Sequence, residues 1–255
     1  MKVVRRRHSL AVATVLSVSF MQPAAASILI VSPGTATSTE GNVNNAFPFN
    51  LSPLGLASER YQQVYAATDF AILGGPAVIT QILFRPDAFT GSAFSSTLPN
   101  VQIDLSTTTV APDAMSLVFA DNVGPNDTVV FFGSLPLSSA FTGPVGGPKS
   151  FDIIVNLTTP FVYNPLAGNL LLDVRNFAGG STTQFDAHSA TGDSSSRTFT
   201  LTGGGVNATS GIRDSIALVT EFRFEPVPEP SSWTLIVVGA VAFGLTFRTF
   251  RRVRS

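Results

Sequence analysis

The chain of 255 residues has no cysteine, and that single absence excludes disulfide scaffolds, thiolate zinc centres and cysteine nucleophiles together. Charge is scarce as well: Asp, Glu, Lys and Arg make up 12% of the sequence, about half the share usual in soluble proteins. Lys2 and Lys149 are the only lysines, His8 and His188 the only histidines, and Trp233 the only tryptophan. Helical periodicity is nearly missing too, with one short candidate at Leu54 to Arg60. What remains is apolar and rich in turn residues. The sequence is 44% hydrophobic, with 21 glycines, 17 prolines and 21 phenylalanines. That composition resembles secreted β-rich proteins and supplies ample apolar surface for a core.

The two ends differ from the rest. Lys2 and Arg5 to Arg7 form a positive start, Leu10 to Met21 an apolar run, and Ala24-Ala25-Ala26 an A-x-A site. Together they read as a secretory signal peptide, residues 1–26, cut between Ala26 and Ser27. Twelve apolar residues at about 1.5 Å each fall short of the ~30 Å hydrocarbon layer, which argues against a permanent anchor here. At the other end Trp233 to Phe247 is uncharged and apolar, and Arg248, Arg251, Arg252 and Arg254 follow as a stop-transfer cluster. Fifteen residues rise only about 22 Å as a helix, so this is a minimal membrane segment with its basic end on the cytoplasmic side.

Between body and tail lies "VPEPSSW", Val227 to Trp233. The triplet Pro228-Glu229-Pro230, a short apolar helix and an arginine-rich end, with a signal peptide at the opposite terminus, resemble the PEP-CTERM sorting signal of Gram-negative bacteria. The resemblance covers about the last 29 residues. It implies that an exosortase-type membrane enzyme reads Pro228, Glu229 and Pro230 and that the tail is removed. It further implies transient residence in the inner membrane, then display at the cell surface or in the extracellular matrix, commonly in organisms that make extracellular polysaccharide. Nothing about catalysis follows from it.

Four segments are therefore expected: a signal peptide at 1–26, a body at 27–225, a proline-rich linker at 226–232 and a sorting tail at 233–255. Stripped of its ends, the body holds seven basic and fifteen acidic side chains, a formal charge of about −8. With no basic patch to override that sign, no nucleic-acid partner is expected.

Alternation of period two dominates the body. Val101, Ile103 and Leu105 share one strand face, as do Phe151, Ile153, Val155 and Leu157. The run "DSIALVTEFRFEP", ended by Pro226, reads as a single last strand. Further strands are expected at Ser27, Tyr61 to Phe70, Ala77, Met115 to Ala120, Thr128, Asn169, Thr183 and Arg197, separated by Gly-Pro and Gly-Gly clusters. Ten or so short strands predict an all-β domain, a two-sheet sandwich of jelly-roll type. Most phenylalanines are expected to fill its interior.

Chemistry is sparse. His188 has Asp186, Asp193 and serines nearby, yet no G-x-S-x-G elbow accompanies them, and a polar loop histidine is the plainer reading. Glu40, Glu59 and the aspartates offer the carboxylate pairs a glycosidase needs, although turn and surface positions explain most of them. The loop "ADNVGPNDT" gathers Asp121, Asn126 and Asp127 as candidate ligands for a structural calcium; turn formation is the competing explanation, and no other cofactor is expected. The expectation is a non-enzymatic structural or matrix protein. A polysaccharide-binding module, needing Tyr61, Tyr65 or Tyr163 exposed on a concave face, and a polysaccharide-active enzyme are the alternatives.

Overall fold

The computed structural model describes residues 26–201 and 205–227. The expected signal and tail helices lie outside them, as do the Pro-Glu-Pro triplet and the terminal arginines. Thirteen strands form: β1 (Ile28–Ser32), β2 (Val43–Asn45), β3 (Glu59–Tyr65), β4 (Ala77–Phe84), β5 (Phe94–Thr108), β6 (Thr128–Ser139), β7 (Ile153–Tyr163), β8 (Asn169–Asn176), β9 (Phe185–Ser189), β10 (Ser195–Phe199), β11 (Ile212–Asp214), β12 (Ile216–Leu218) and β13 (Thr220–Pro226). Every pairing among them is antiparallel.

Two sheets pack as a sandwich, one ordered β1-β13-β4-β7 and the other β11-β10-β3-β8-β5-β6. The eight strands β1-β13-β4-β7 and β3-β8-β5-β6 follow an order that matches the two-Greek-key path expected of a jelly roll. A small third sheet, β12-β9-β2, is tied to β3 by Gln63, whose side chain bonds both the N–H and the carbonyl of Leu218 at 2.8 and 2.9 Å. The alternating residues of each strand explain the layering. Phe222 and Phe224 of β13 point inward and are fully buried, while Glu221 and Arg223, which alternate with them, are not.

Aromatic side chains hold the interior together. Phe70 meets Tyr163, Phe222 and Phe224 edge-on at centroid separations of 5.2, 5.6 and 5.8 Å, and Tyr65 stands perpendicular to Phe222 at 5.0 Å. Such pairs contribute about 0.5–1.5 kcal/mol each beyond their burial. The phenylalanines are not all interior, however: Phe89 and Phe132 are exposed.

Three expected elements form differently. The run from Tyr61 leaves the strand at Tyr65, and Ala67–Leu73 coil into 3-10 turns that drive Phe70 into the core. Met115 to Ala120 is not a strand. Phe119–Asn122 form a 3-10 turn, and the apolar residues serve as anchors, Met115 packing with Val64 and Leu171 on the outer face of the large sheet. The last run breaks at Val219 into β12 and β13, which belong to different sheets. Ala217, Leu218 and Val219 are all fully buried, so the chain crosses between layers there and alternation lapses. The short helical candidate at Leu54 to Arg60 does not form: a 3-10 turn, Ser52–Leu54, ends at its first residue, and Glu59 and Arg60 open β3.

Candidate functional site

The two ends of the body lie side by side in the four-stranded sheet. β1 and β13 are antiparallel neighbours, Ile28 opposite Phe224, so the start of one lies beside the finish of the other. Ala26 and Ser27, the two sides of the expected signal cut, are exposed just before β1. β13 keeps pairing to Pro226, opposite Ala77, one residue into the expected linker. Only Val227 separates that paired residue from Pro228. Ala24, Pro228, Glu229, Pro230, Arg248, Arg251, Arg252 and Arg254 lie outside the described residues.

The candidate calcium loop spends its oxygens locally. Asp121 accepts from the Ser116 hydroxyl at 2.9 Å, and Asn126 accepts from the Thr107 N–H at 2.6 Å while donating to the Thr107 hydroxyl at 3.0 Å. Asp127 sits apart, near Asp173 and Arg175, and burial raises its pKa. The close carboxylate group is a different one. Glu40, Asp87 and Asp186 each place an oxygen within 4.8 Å of the others.

That group is organised around Arg85, which is almost fully buried. Its Nε and Nη2 reach Asp186 at 2.7 and 2.6 Å, and Nη2 also bonds the carbonyls of Ala36 and Thr39. The guanidinium lies over Phe151, 4.8 Å from the ring centre. Asp186 further accepts from the Gly41 N–H at 2.9 Å, an approach that needs glycine because a Cβ there would meet the Ala187 carbonyl oxygen. Burial drives Asp186 up to about 6 against the pull of Arg85, and burial raises Glu40 as well. The arrangement locks the loop before β2 to β4 and β9.

His188 bonds Asp193 through Nδ1 at 2.8 Å. Asp186, the other acid weighed for a triad, is committed to Arg85, and among the described residues no serine hydroxyl bonds the imidazole.

The outer face of the large sheet carries a polar lattice that local sequence does not reveal. Strand register sets Asp104 of β5 opposite Asp173 of β8, and Asp173 opposite Gln62 of β3. In the adjoining row Gln102 lies opposite Arg175, and Arg175 opposite Arg60. Acid therefore faces acid and base faces base. Like charges directly opposite are destabilising unless other partners offset them. Diagonal and amide contacts provide part of that. Arg60 grips Asp173 through Nε and Nη2 at 3.2 and 2.6 Å, and Gln102 donates to both oxygens of Asp104 at 3.1 and 2.8 Å. Gln62 donates to Asp173 at 2.7 Å and accepts from Asn122 at 2.9 Å, pinning the 3-10 turn whose Phe119 stacks under Arg60. Burial, reinforced by Asp127 and Asp173, lifts Asp104 to about 6.

Beside this lattice a cavity of about 470 Å³ opens between the Val118 to Ala120 and Val206 to Thr209 segments, with Arg60, Arg175 and Phe177 in its lining. The tyrosines are elsewhere: Tyr61, Tyr65 and Tyr163 are all fully buried, so an exposed tyrosine platform is ruled out. Tyr61 instead bonds Gln63 at 2.5 Å inside the sandwich.

The model of one family, the PEP-CTERM protein-sorting motif, matches residues 226–252. The match implies an exported protein processed at the membrane by an exosortase. No curated protein and no solved structure matches the chain.

Proposed function

We propose that this chain, with its PEP-CTERM sorting motif at 226–252, delivers a rigid, non-enzymatic β-sandwich to the cell surface or extracellular matrix, where it serves a structural role. One observation carries the reading: the last strand before the motif is a core strand. Phe222 and Phe224 are fully buried, and pairing with β4 runs to Pro226. The motif thus follows almost directly on a folded body. In this reading Pro228, Glu229 and Pro230 are recognised by the exosortase, Trp233 to Phe247 hold the substrate in the inner membrane, and Arg248, Arg251, Arg252 and Arg254 fix its orientation. Replacing Glu229 by Ala should leave the protein full length and membrane-bound. Fractionation and immunoblotting of host cells check this, and normal release of the variant would sink the idea.

A second reading, polysaccharide binding, draws support from the outer-face cavity with Arg60, Arg175 and Phe177 in its lining. It no longer needs tyrosine. Co-sedimentation of the protein with extracellular polysaccharide tests it, saturable pelleting supporting it and none opposing it. The enzymatic alternative is less well supported. Asp104 and Asp173 face each other as a carboxylate pair, but they are 3% and 2% exposed and held by Gln102 and Arg60, not set around an open cleft.

A further inference from the structure

We propose that the outer-face cavity is a binding site for a sugar carrying a carboxylate, with Arg175 as the group that reads the charge; this deepens the polysaccharide-binding reading and rests on it. The two cations of the lattice differ in what holds them. Arg60 is bound to Asp173 through two nitrogens and stacked on Phe119. Arg175 makes no ion pair and no side-chain hydrogen bond among the described residues, yet register places it directly across from Arg60. A guanidinium carries five N–H donors in a planar fork that suits a carboxylate, so this one has unused capacity beside a like charge.

The acids that balance the two arginines lie outside the cavity lining, the exposed Asp127 near Arg175 included. Asp104 and Asp173 are buried in the sheet, and neither lines the cavity, whereas Arg60 and Arg175 both do. The cavity therefore presents positive N–H groups on a body whose formal charge is about −8. Its other walls suit a ring bearing hydroxyls: Phe177 supplies an aromatic surface, Val206 an aliphatic one, and Asn207 and Thr209 supply an amide and a hydroxyl. About 470 Å³ lies within the usual range for small-molecule sites. An anion at Arg175 would also relieve its repulsion with Arg60, so the juxtaposition that costs stability in the free protein favours the bound state.

The test is calorimetric titration of the full-length chain in nonionic detergent with D-glucuronate, D-glucose and inorganic phosphate, for the native protein and for Arg175→Met and Arg223→Met. Glucuronate should bind at millimolar concentration and glucose at least about tenfold more weakly, because a charge-assisted bidentate contact is lost. Arg175→Met should abolish glucuronate binding with its melting temperature retained, and Arg223→Met, in the opposite sheet, should not. Glucuronate binding that survives Arg175→Met overturns the proposal, as does glucose binding equal to glucuronate. Phosphate binding as tight as glucuronate overturns the assignment of a sugar. Pelleting with polysaccharide that is unchanged in Arg175→Met would leave the broader reading standing while this site falls. Glucuronate binding without any pelleting would do the reverse.

Discussion

The molecule holds two arginine-aspartate clusters of similar chemistry and opposite design. Around Arg85 the guanidinium is buried, its Nε and Nη2 are taken by Asp186 and by the carbonyls of Ala36 and Thr39, and Phe151 covers its face. Around Arg60 and Arg175 the same residue types lie on an outer sheet face, like charges are set opposite each other, and one guanidinium beside a cavity makes no ion pair and no side-chain hydrogen bond among the described residues. The closed cluster behaves as a strut. The open one retains unspent hydrogen-bonding capacity, which is what a binding site needs and a structural lock lacks.

Breaking the closed cluster should have the largest effect. Arg85→Met leaves Asp186 fully buried without its ion partner and should destabilise the body by about 3–5 kcal/mol at neutral pH, measured by urea unfolding. The deficit should shrink near pH 5, because Asp186, already raised to about 6, then takes up a proton. A loss that does not change with pH would mean that Arg85 acts through packing over Phe151 instead.

A smaller effect of opposite sign is expected at Glu59. This side chain is fully buried, neither carboxyl oxygen has a hydrogen-bond partner among the described residues, and burial raises its pKa well above the usual carboxylate range despite Arg197 nearby. The folded state therefore holds the proton more tightly than the unfolded chain, so stability is greatest below the unfolded pKa and declines as pH rises above it. Asp104 and Asp186, each raised to about 6, push the same way between about pH 4 and 6. Glu59→Gln should stabilise the body by about 1–3 kcal/mol near pH 8 and change little near pH 4. Thermal melts at both pH values check this. Equal effects at both would show that Glu59 is not the proton-binding group.

The smallest effect sharpens the comparison most. Arg175→Met should alter stability by no more than about 0.5 kcal/mol, since it breaks no ion pair and removes a like charge facing Arg60. A loss matching that of Arg85→Met would show that the open cluster is a second strut.

Strand-level structure was readable from the residues because period-two alternation records which face is buried. Ile103 and Leu105, Ile153 and Val155, and Phe222 and Phe224 are all interior as that rule requires. Alternation misled where burial was not one-sided. Ala217 to Val219 are covered on both sides at a change of sheet, and Met115 and Phe119 are apolar because they clamp a loop onto the sheet's outer face. The polar lattice was not readable at all. Arg60 and Asp173 are 113 residues apart, and what brings them together is the register of β3, β8 and β5, which no local window contains. The tyrosines failed as a binding signal for a related reason, since their strand positions turned inward and only pairing fixes which face is inward. The tail, by contrast, is a linear signal, and linear signals survive without a fold.

Those two kinds of information meet at β13, where a core strand ends one residue short of the Pro-Glu-Pro triplet. Intact-mass measurement of the protein released by the host tests the account most directly. It predicts an N-terminus at Ser27 and a C-terminus at or beyond Pro226, with the Trp233 to Ser255 tail gone and β13 whole. A released protein that keeps the tail, or one cut upstream of Phe224 so that the core strand is lost, would contradict it.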